Sequence, residues 1–105
     1  MSNEQWVAIA DVGSLVENDA IGITVEGQEI ALFNVAGSYH ATSNLCTHGN
    51  ARLCDGYMED DRIECPLHQG LFHIPTGKAL GAPATEALKT YPIRIEGKRI
   101  CVRLD

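Results

Sequence analysis

Apolar residues occur along the chain in short runs, and glycine, asparagine or acidic residues separate one run from the next. No stretch keeps the period of a long amphipathic helix, whereas several runs have the length and the β-branched content of strands. The predicted strands cover residues 6–9, 21–25, 29–35, 39–42, 57–58, 62–64, 71–74, 88–95 and 99–104. Residues 14–17 carry the serine-to-glutamate spacing of a capping box, which predicts one helical turn at most. The pattern therefore predicts an all-β chain.

The turns between these runs indicate antiparallel hairpins. Residues 26–28, 59–61 and 96–98 each connect two predicted strands. In the last hairpin, apolar residues alternate with arginines, which is typical of a sheet with one buried face and one wet face. We expect a single domain, in which residues 1–43 and 85–105 build an antiparallel β-sandwich-like base and residues 44–84 form a smaller inserted lobe.

The acidic balance of the chain narrows its class of partner. The formal net charge is −6, which argues against nucleic acid and favours protein partners with basic patches, where opposite charge raises the encounter rate more than the affinity. The acidic run at residues 59–61 is interpreted as a solvated turn. The polar amino terminus is followed by no long apolar run, so we predict no signal peptide, no membrane segment and a cytoplasmic location.

Two short loops carry the residues best suited to bind a metal. The first reads C-T-H-G at residues 46–49, and the second reads C-P-L-H-Q-G at residues 65–70. Each loop offers one thiolate and one imidazole, and its glycine or proline residues permit the tight turn that brings both to one point. The candidate ligands are Cys46, His48, Cys65 and His68. Two sulfur and two nitrogen ligands suit either a tetrahedral zinc ion or a [2Fe–2S] cluster with two histidines on one iron and two cysteines on the other.

The distribution of the ligands between the loops favours the cluster. Zinc sites of this composition usually take both cysteines from one hairpin and both histidines from one helix. Here each loop contributes one cysteine and one histidine, so two loops that hold an elongated two-iron cluster from opposite sides would each give one ligand to each iron. A structural zinc domain, which would be colourless and redox-silent, stays the alternative.

The other histidines and cysteines have simpler interpretations. His40 lies in a predicted strand and His73 lies beside Phe72, and both histidines are expected to be structural or surface residues rather than ligands. Cys54 and Cys101 are expected to be free thiols, as in a reducing cytosol, and a disulfide between them is the alternative. Three aromatic residues are expected in the sandwich core: Trp6, Phe33 and Tyr39. No arrangement resembles a serine or cysteine catalytic triad.

At the two loops the chain resembles the Rieske ferredoxins, the small electron carriers of bacterial aromatic-ring-hydroxylating dioxygenases, and among them the naphthalene-dioxygenase type. The shared segments are C-T-H-G at 46–49, D-G-Y at 55–57, E-C-P-L-H-Q-G at 64–70, T-G-K-A-L at 76–80 and K-T-Y-P at 89–92. The resemblance implies a Rieske fold whose lobe binds one Rieske-type [2Fe–2S] cluster. It also implies a non-catalytic component of aromatic hydrocarbon catabolism, which carries single electrons from an NAD(P)H-dependent flavin ferredoxin reductase to a terminal Rieske non-haem iron oxygenase.

The same resemblance implies where partners would dock. In Rieske proteins the two histidine ligands lie at the tip of the lobe and a proline-bearing loop covers the cluster, and Pro83 is the matching proline. The implied docking surface consists of His48, Leu67, His68, Gln69 and Pro83. We expect a monomer, because a shuttle must leave one partner for the next. The alternative is a Rieske small subunit of an enzyme such as assimilatory nitrite reductase, which would have a larger apolar interface.

Residues beside the ligands predict a low potential within the Rieske range. Two ferric ions, two sulfides and two thiolates carry no formal charge, so such a cluster takes up an electron more easily than one held by four thiolates. High-potential Rieske proteins resemble C-T-H-L-G-C and C-P-C-H-G-S-x-Y in these loops, with a disulfide and hydroxyl donors near the cluster. This chain has Ala51, Leu67, Gly70 and Phe72 at the corresponding positions. Without the hydroxyl donors the reduced state is less stabilised, and we predict a potential of about −150 mV.

Overall fold

The computed structural model describes residues 6–47, 51–67, 70–81 and 86–104. The elements in chain order are β1 (Trp6–Asp11), β2 (Asp19–Val25), β3 (Gln28–Val35), β4 (Ser38–Ser43), a short 3₁₀ helix η1 (Leu53–Asp55), β5 (Tyr57–Glu59), β6 (Arg62–Glu64), β7 (Leu71–His73), β8 (Ala79–Gly81), β9 (Thr90–Tyr91), β10 (Ile93–Glu96) and β11 (Arg99–Arg103). No α-helix occurs within these described ranges, and the all-β prediction is confirmed. In the same ranges, no helix has the length and apolar character that crossing a membrane requires.

The strands form three antiparallel sheets. Their strand orders are β1-β11-β10, β2-β3-β4-β9 and β5-β6-β7-β8. The third sheet comes from residues 57–81 alone, whereas each of the other two combines strands from both sides of that segment. The division into a base of residues 1–43 and 85–105 and a lobe of residues 44–84 stays a prediction, which this strand order supports.

Two-residue turns close the hairpins on both sides of β3. Glu26 and Gly27 have φ values of 48° and 80°, and Ala36 and Gly37 have φ values of 51° and 96°. Positive φ at both central residues is the type I′ arrangement, whose twist matches that of the flanking strands. The predicted hairpin at residues 26–28 is confirmed, with Gln28 already paired to Val25 in the ladder.

Strand β3 lies between two apolar cores. Ile30 and Leu32 point into the core of the base, while Ala31 and Phe33 point the opposite way, because successive side chains of a strand alternate between its faces. All four side chains are fully buried. The second core, which we call the cysteine core, consists of Ala31, Phe33, Cys46, Leu53, Ile63, Cys65, Phe72, Ile74 and Leu88. Burial on both faces accounts for the uninterrupted apolar run at residues 30–33.

Two predicted segments are wrong for local reasons. Residues 14–17 form no helical turn, because the Ser14 hydroxyl donates a hydrogen bond backward to the Asp11 carbonyl (2.6 Å) rather than capping a helix. The predicted strand at residues 88–95 is two strands, of which β9 pairs with β4 and β10 pairs with β11. They separate at Pro92, which has no N–H to donate to a ladder. Strand β8, which is short and contains only small residues and one leucine, was not predicted.

The expected placement of the aromatic residues is correct only in part. Phe33 is fully buried, but in the cysteine core rather than between the two sheets of the base. Tyr39 is half-buried beside the base core. Trp6 lies at the surface of β1, where the Arg94 guanidinium stacks 4.2 Å from its ring centroid. An aromatic ring that attracts a guanidinium can remain half-exposed, and hydropathy alone does not reveal this.

Candidate metal centre

The two cysteines of the proposed site each follow a strand, and both are buried in the same core. Cys46 follows β4 by three residues and is buried, with 6% of its surface exposed. Cys65 directly follows β6 and has no exposed surface. Both belong to the cysteine core, which also contains Phe33 of β3 and Phe72 of β7. The sequence placed these cysteines in separate loops, and the fold brings their side chains together.

The two loops are closed at their bases by the same kind of hydrogen bond. The Cys46 N–H donates to the carbonyl of Ala51 (3.0 Å), and the Cys65 N–H donates to the carbonyl of Gly70 (2.7 Å). In each loop the acceptor lies five residues after the cysteine, so the closed segment has the same length. The first loop is further narrowed by a β-bridge between Leu45 and Arg52. Each cysteine therefore lies at the base of a closed loop.

The two thiols lie within hydrogen-bonding reach of each other. The pKa of the Cys65 thiol is raised from 9.0 to about 11, mainly by burial and then by the hydrogen bond with the Cys46 side chain, while a backbone hydrogen bond at Leu67 opposes the shift. A buried site with two adjacent sulfurs disfavours thiolates unless a cation balances their charge. This donor set fits two sulfur ligands on one iron of a [2Fe–2S] cluster.

The other residues of the proposed site are described only in part. His48, His68, Gln69 and Pro83 lie outside the described residues. Leu67 is described and is 41% exposed. Leu45, which precedes Cys46, is also an exposed large apolar side chain, at 53%. Sequence reasoning missed Leu45, although an apolar residue next to a ligand in a polar loop is the same signal that singled out Leu67.

A buried asparagine at the neck of the first loop was also missed. Asn44 has no exposed surface, and its Oδ1 accepts a hydrogen bond from the Cys54 N–H (2.8 Å) while its Nδ2 donates to Cys54 Sγ (3.2 Å). Cys54 is half-buried, and the structure describes both Cys54 and Cys101 as free thiols. Nothing in the sequence distinguishes a buried asparagine before a loop from a solvated one.

The two loops also meet at a glycine. A Cβ at Gly56 would lie 2.2 Å from the carbonyl oxygen of Glu64 and 3.1 Å from that of Leu53. Leu53 begins η1 after the first loop, and Glu64 directly precedes Cys65 of the second. The φ of Gly56 is −84°, which any residue adopts, so this position needs glycine for the close approach and not for its backbone freedom.

The His73 side chain contacts the turn between β5 and β6 and the turn that follows β7. Its Nε2 lies 2.9 Å from Asp61 Oδ2 and its Nδ1 lies 2.8 Å from Thr76 Oγ1. Both ring nitrogens are therefore engaged within the protein, as the structural interpretation of His73 predicted. Residues 60–61 form a turn, and the Asp61 side chain, which is 45% exposed, contacts both solvent and His73. His40 lies near this pair, and burial, followed by the charge of His73, lowers its pKa.

A side chain of the first loop reaches the segment that follows residues 82–85. The Thr47 hydroxyl donates a hydrogen bond to the carbonyl of Glu86 (2.9 Å). Two residues later in that segment, the Leu88 N–H donates to the carbonyl of Gly77 (2.8 Å), and the Leu88 side chain belongs to the cysteine core. Thr47 and Leu88 therefore connect this segment to both the first loop and the core.

Comparison with known proteins identifies the family. The model of the Rieske [2Fe–2S] domain matches residues 5–92. The ferredoxin component of the naphthalene 1,2-dioxygenase system of Pseudomonas putida is 52% identical over 101 residues, which cover 96% of this chain and 97% of that protein. A match of this extent also disfavours the alternative of a structural zinc domain.

Solved structures agree with this assignment. The ferredoxin of Sphingomonas yanoikuyae B1 superimposes with a TM-score of 0.91 at 38% identity and covers 96% of this chain and 100% of its own. A ferredoxin in a complex of reduced oxygenase and oxidised ferredoxin of carbazole 1,9a-dioxygenase gives 0.90 at 27% identity, over 93% of this chain and 92% of the other. A nitrite reductase small subunit from Mycobacterium tuberculosis gives 0.84 at 24% identity, over 99% and 98%, and shows a shared fold alone. This chain belongs to the Rieske [2Fe–2S] family, in which it is an electron-carrying ferredoxin with one cluster rather than a catalytic subunit.

Proposed function

We propose that this ferredoxin passes single electrons from an NAD(P)H-dependent flavin ferredoxin reductase to the terminal Rieske non-haem iron oxygenase of an aromatic-ring dioxygenase system. Cys46, His48, Cys65 and His68 hold its cluster in this proposal. The observation that carries it is the pair of buried thiols, which lie in mutual reach at the bases of two loops closed by matching hydrogen bonds. When bound, such a cluster takes up and gives back one electron.

The residues of this chain bind the cluster and keep water from its sulfur-ligated side. Phe33 and Phe72 are fully buried in the same core as the two cysteines, so the sulfur side of the proposed cluster faces an apolar environment. The exposed Leu45 and Leu67 lie in the loops that carry the cysteines, and together with His48, His68, Gln69 and Pro83 they form the proposed docking surface. A small apolar surface with a solvent-accessible polar rim is typical of a short-lived complex rather than a permanent one.

The relatives support the choice of partners. The Pseudomonas putida relative is named as a component of a dioxygenase system, and the carbazole 1,9a-dioxygenase ferredoxin occurs in a complex with its oxygenase. The net charge of −6 favours basic partner surfaces. We propose that the protein is a monomer and works in the cytoplasm, where free thiols such as Cys54 and Cys101 stay reduced.

The first experiment is an electron paramagnetic resonance spectrum of the dithionite-reduced protein, with iron, zinc and acid-labile sulfide measured in the same sample. A signal of mixed histidine and cysteine ligation with two irons per chain is the expected result. Replacing His68 with Cys should then lower the potential, because a thiolate adds negative charge to the cluster. Stoichiometric zinc with no signal, or an unchanged potential in the variant, would contradict the ligand assignment.

The partner assignment needs its own test. Reductase and oxygenase components of a naphthalene dioxygenase system, mixed with NADH and this protein, should consume oxygen at a rate that depends on this ferredoxin. An otherwise identical mixture without the ferredoxin is the control. If the loaded protein is reduced by dithionite but by no such reductase, the cluster assignment stands and the proposed partners are wrong.

A further inference from the structure

We propose that Asn44 is a positioning residue for the first ligand loop, and that Cys54 and Gly22 form the site in which it is held. Asn44 fixes the neck from which Cys46 extends into the cysteine core, and thereby limits how often the loop opens and how fast the cluster is lost. This inference rests on the proposed role of Cys46 as a ligand. It assigns to three residues outside the ligand motifs a function in retaining the cluster.

The backbone of Asn44 joins the two arms of the loop to the base. Its N–H donates to the carbonyl of Glu29 in β3 (2.9 Å), which extends the pairing of β3 and β4 by one residue. Its carbonyl accepts a hydrogen bond from the N–H of Leu53 on the returning arm (2.8 Å). The loop that contains Cys46 therefore begins and ends at this one residue.

The side chain of Asn44 repeats the connection to the returning arm. Because the Cys54 N–H can only donate, it identifies the atom at 2.8 Å as the amide oxygen, and the amide nitrogen then faces Cys54 Sγ at 3.2 Å. Three of these four hydrogen bonds connect Asn44 to Leu53 and Cys54. An asparagine with no exposed surface and both ends of its amide engaged has one geometry, so the two arms are held at a fixed separation.

Gly22 of β2 leaves the space that this arrangement needs. A Cβ at Gly22 would lie 2.7 Å from Asn44 Nδ2 and 2.8 Å from Cys54 Sγ. Both distances are shorter than real Cβ contacts, so any larger residue would displace the asparagine, the cysteine or both. The packing of Asn44 against Cys54 therefore depends on β2, a strand that contributes no proposed ligand.

These contacts control a local opening equilibrium, in which Asn44 separates from Leu53 and Cys54. Cys46 lies two residues after Asn44 and is buried, so a chelator reaches its sulfur only after the arms separate. Replacing Asn44 with Ala leaves the Cys54 N–H without its acceptor and makes that separation easier. We expect cluster loss to be about tenfold faster, the factor that about 1.4 kcal/mol in the opening equilibrium produces.

The experiment follows cluster absorbance in the loaded protein after an iron chelator is added, for wild type, Asn44→Ala, Gly22→Ala and a matched control, Asn34→Ala. Asn34 is also a buried asparagine, whose Nδ2 donates to the Leu15 carbonyl (2.8 Å) and whose Oδ1 accepts from the Gly37 N–H (2.8 Å), but it lies in the base. Asn34→Ala should lower the melting temperature while the rate of cluster loss stays within about twofold of wild type.

The outcomes separate the two proposals. Faster loss in both Asn44→Ala and Gly22→Ala, with little change in Asn34→Ala, is the expected result. Equal rates in Asn44→Ala and Asn34→Ala at comparable melting temperatures would make Asn44 an ordinary buried residue and overturn the inference. If Asn44→Ala does not fold, Gly22→Ala and Cys54→Ala decide by the same rates. A wild-type protein that binds no cluster would instead overturn the proposed function.

Discussion

Replacing Gly56 with Ala should force the two ligand loops apart. The added methyl would lie 2.2 Å from the carbonyl oxygen of Glu64, whereas ordinary contact begins near 3.4 Å, so backbone must move by about 1.2 Å. The obstacle is a main-chain atom and cannot rotate away as a flexible side chain would. Because Glu64 directly precedes Cys65, the movement displaces Cys65 relative to Cys46.

The size of the effect follows from the geometry. Overpacking a well-ordered contact costs about 1–3 kcal/mol. We therefore expect a loss of about 2 kcal/mol, which for a domain of this size lowers the melting temperature by about 8 °C. Conformational strain adds nothing, because the φ of −84° at Gly56 is open to any residue. The loss should extend to metal binding, since the displaced backbone holds Cys65.

The assay is thermal melting by circular dichroism together with iron content per chain. Gly81→Ala is the matched control, because a Cβ there would meet only the Leu71 Cβ at 3.9 Å, an ordinary contact, and Gly81 lies in the same sheet as Glu64. The control should melt within about 2 °C of wild type. If Gly56→Ala also melts in that range and keeps the wild-type iron content, the close approach at Glu64 does not constrain the loops.

Three further predictions concern other contacts of the fold. Thr47→Val removes the hydroxyl that donates to the Glu86 carbonyl, so amide hydrogen exchange around residues 86–88 should be about fivefold faster, and unchanged exchange would refute the contact. Burial and the charge of His73 lower the pKa of His40, so as the pH falls below 6.5 the unfolded state binds a proton before the folded state does, and stability declines. His40→Gln should therefore make the melting temperature fall less steeply with decreasing pH. The same pH dependence in wild type and variant would contradict this role of His40. Removing the cluster should lower the melting temperature, because metal binding adds to the folding free energy, and equal melting of loaded and cluster-free protein would argue against the buried cysteine site.

The strands and the ligand motifs can be predicted from the sequence because both depend on local chemistry. The apolar run at residues 30–33 predicts a buried strand, and the turn residues around it predict its hairpins. The two cysteines are recognisable because few residue types bind iron. By contrast, the break at Pro92 depends on which sheet each half joins, and the surface position of Trp6 depends on Arg94 from another strand. These are tertiary contacts, which no single segment specifies.

The residues that position the candidate site were the hardest to predict. Asn44 and Gly22 are common residue types in ordinary contexts, and their importance arises from a close approach between two residues that are 22 positions apart in sequence. The pairing of Asp61 with His73 likewise depends on the fold, because the two residues are 12 positions apart in sequence. A ligand is recognisable by its own chemistry, whereas a supporting residue is recognisable only by what surrounds it.

The double-sided burial of β3 bears on how this fold could be dissected or transplanted. Ala31 and Phe33 line the cysteine core, yet they belong to a strand whose other face completes the base. A fragment of residues 44–84 would therefore lose the Ala31 and Phe33 side chains from the core around its cysteines, and a host protein that received it would have to supply a strand with two matching apolar side chains. The candidate metal-binding segment is therefore not a portable module, and redesign of this ferredoxin has to treat β3 and the two loops as one unit.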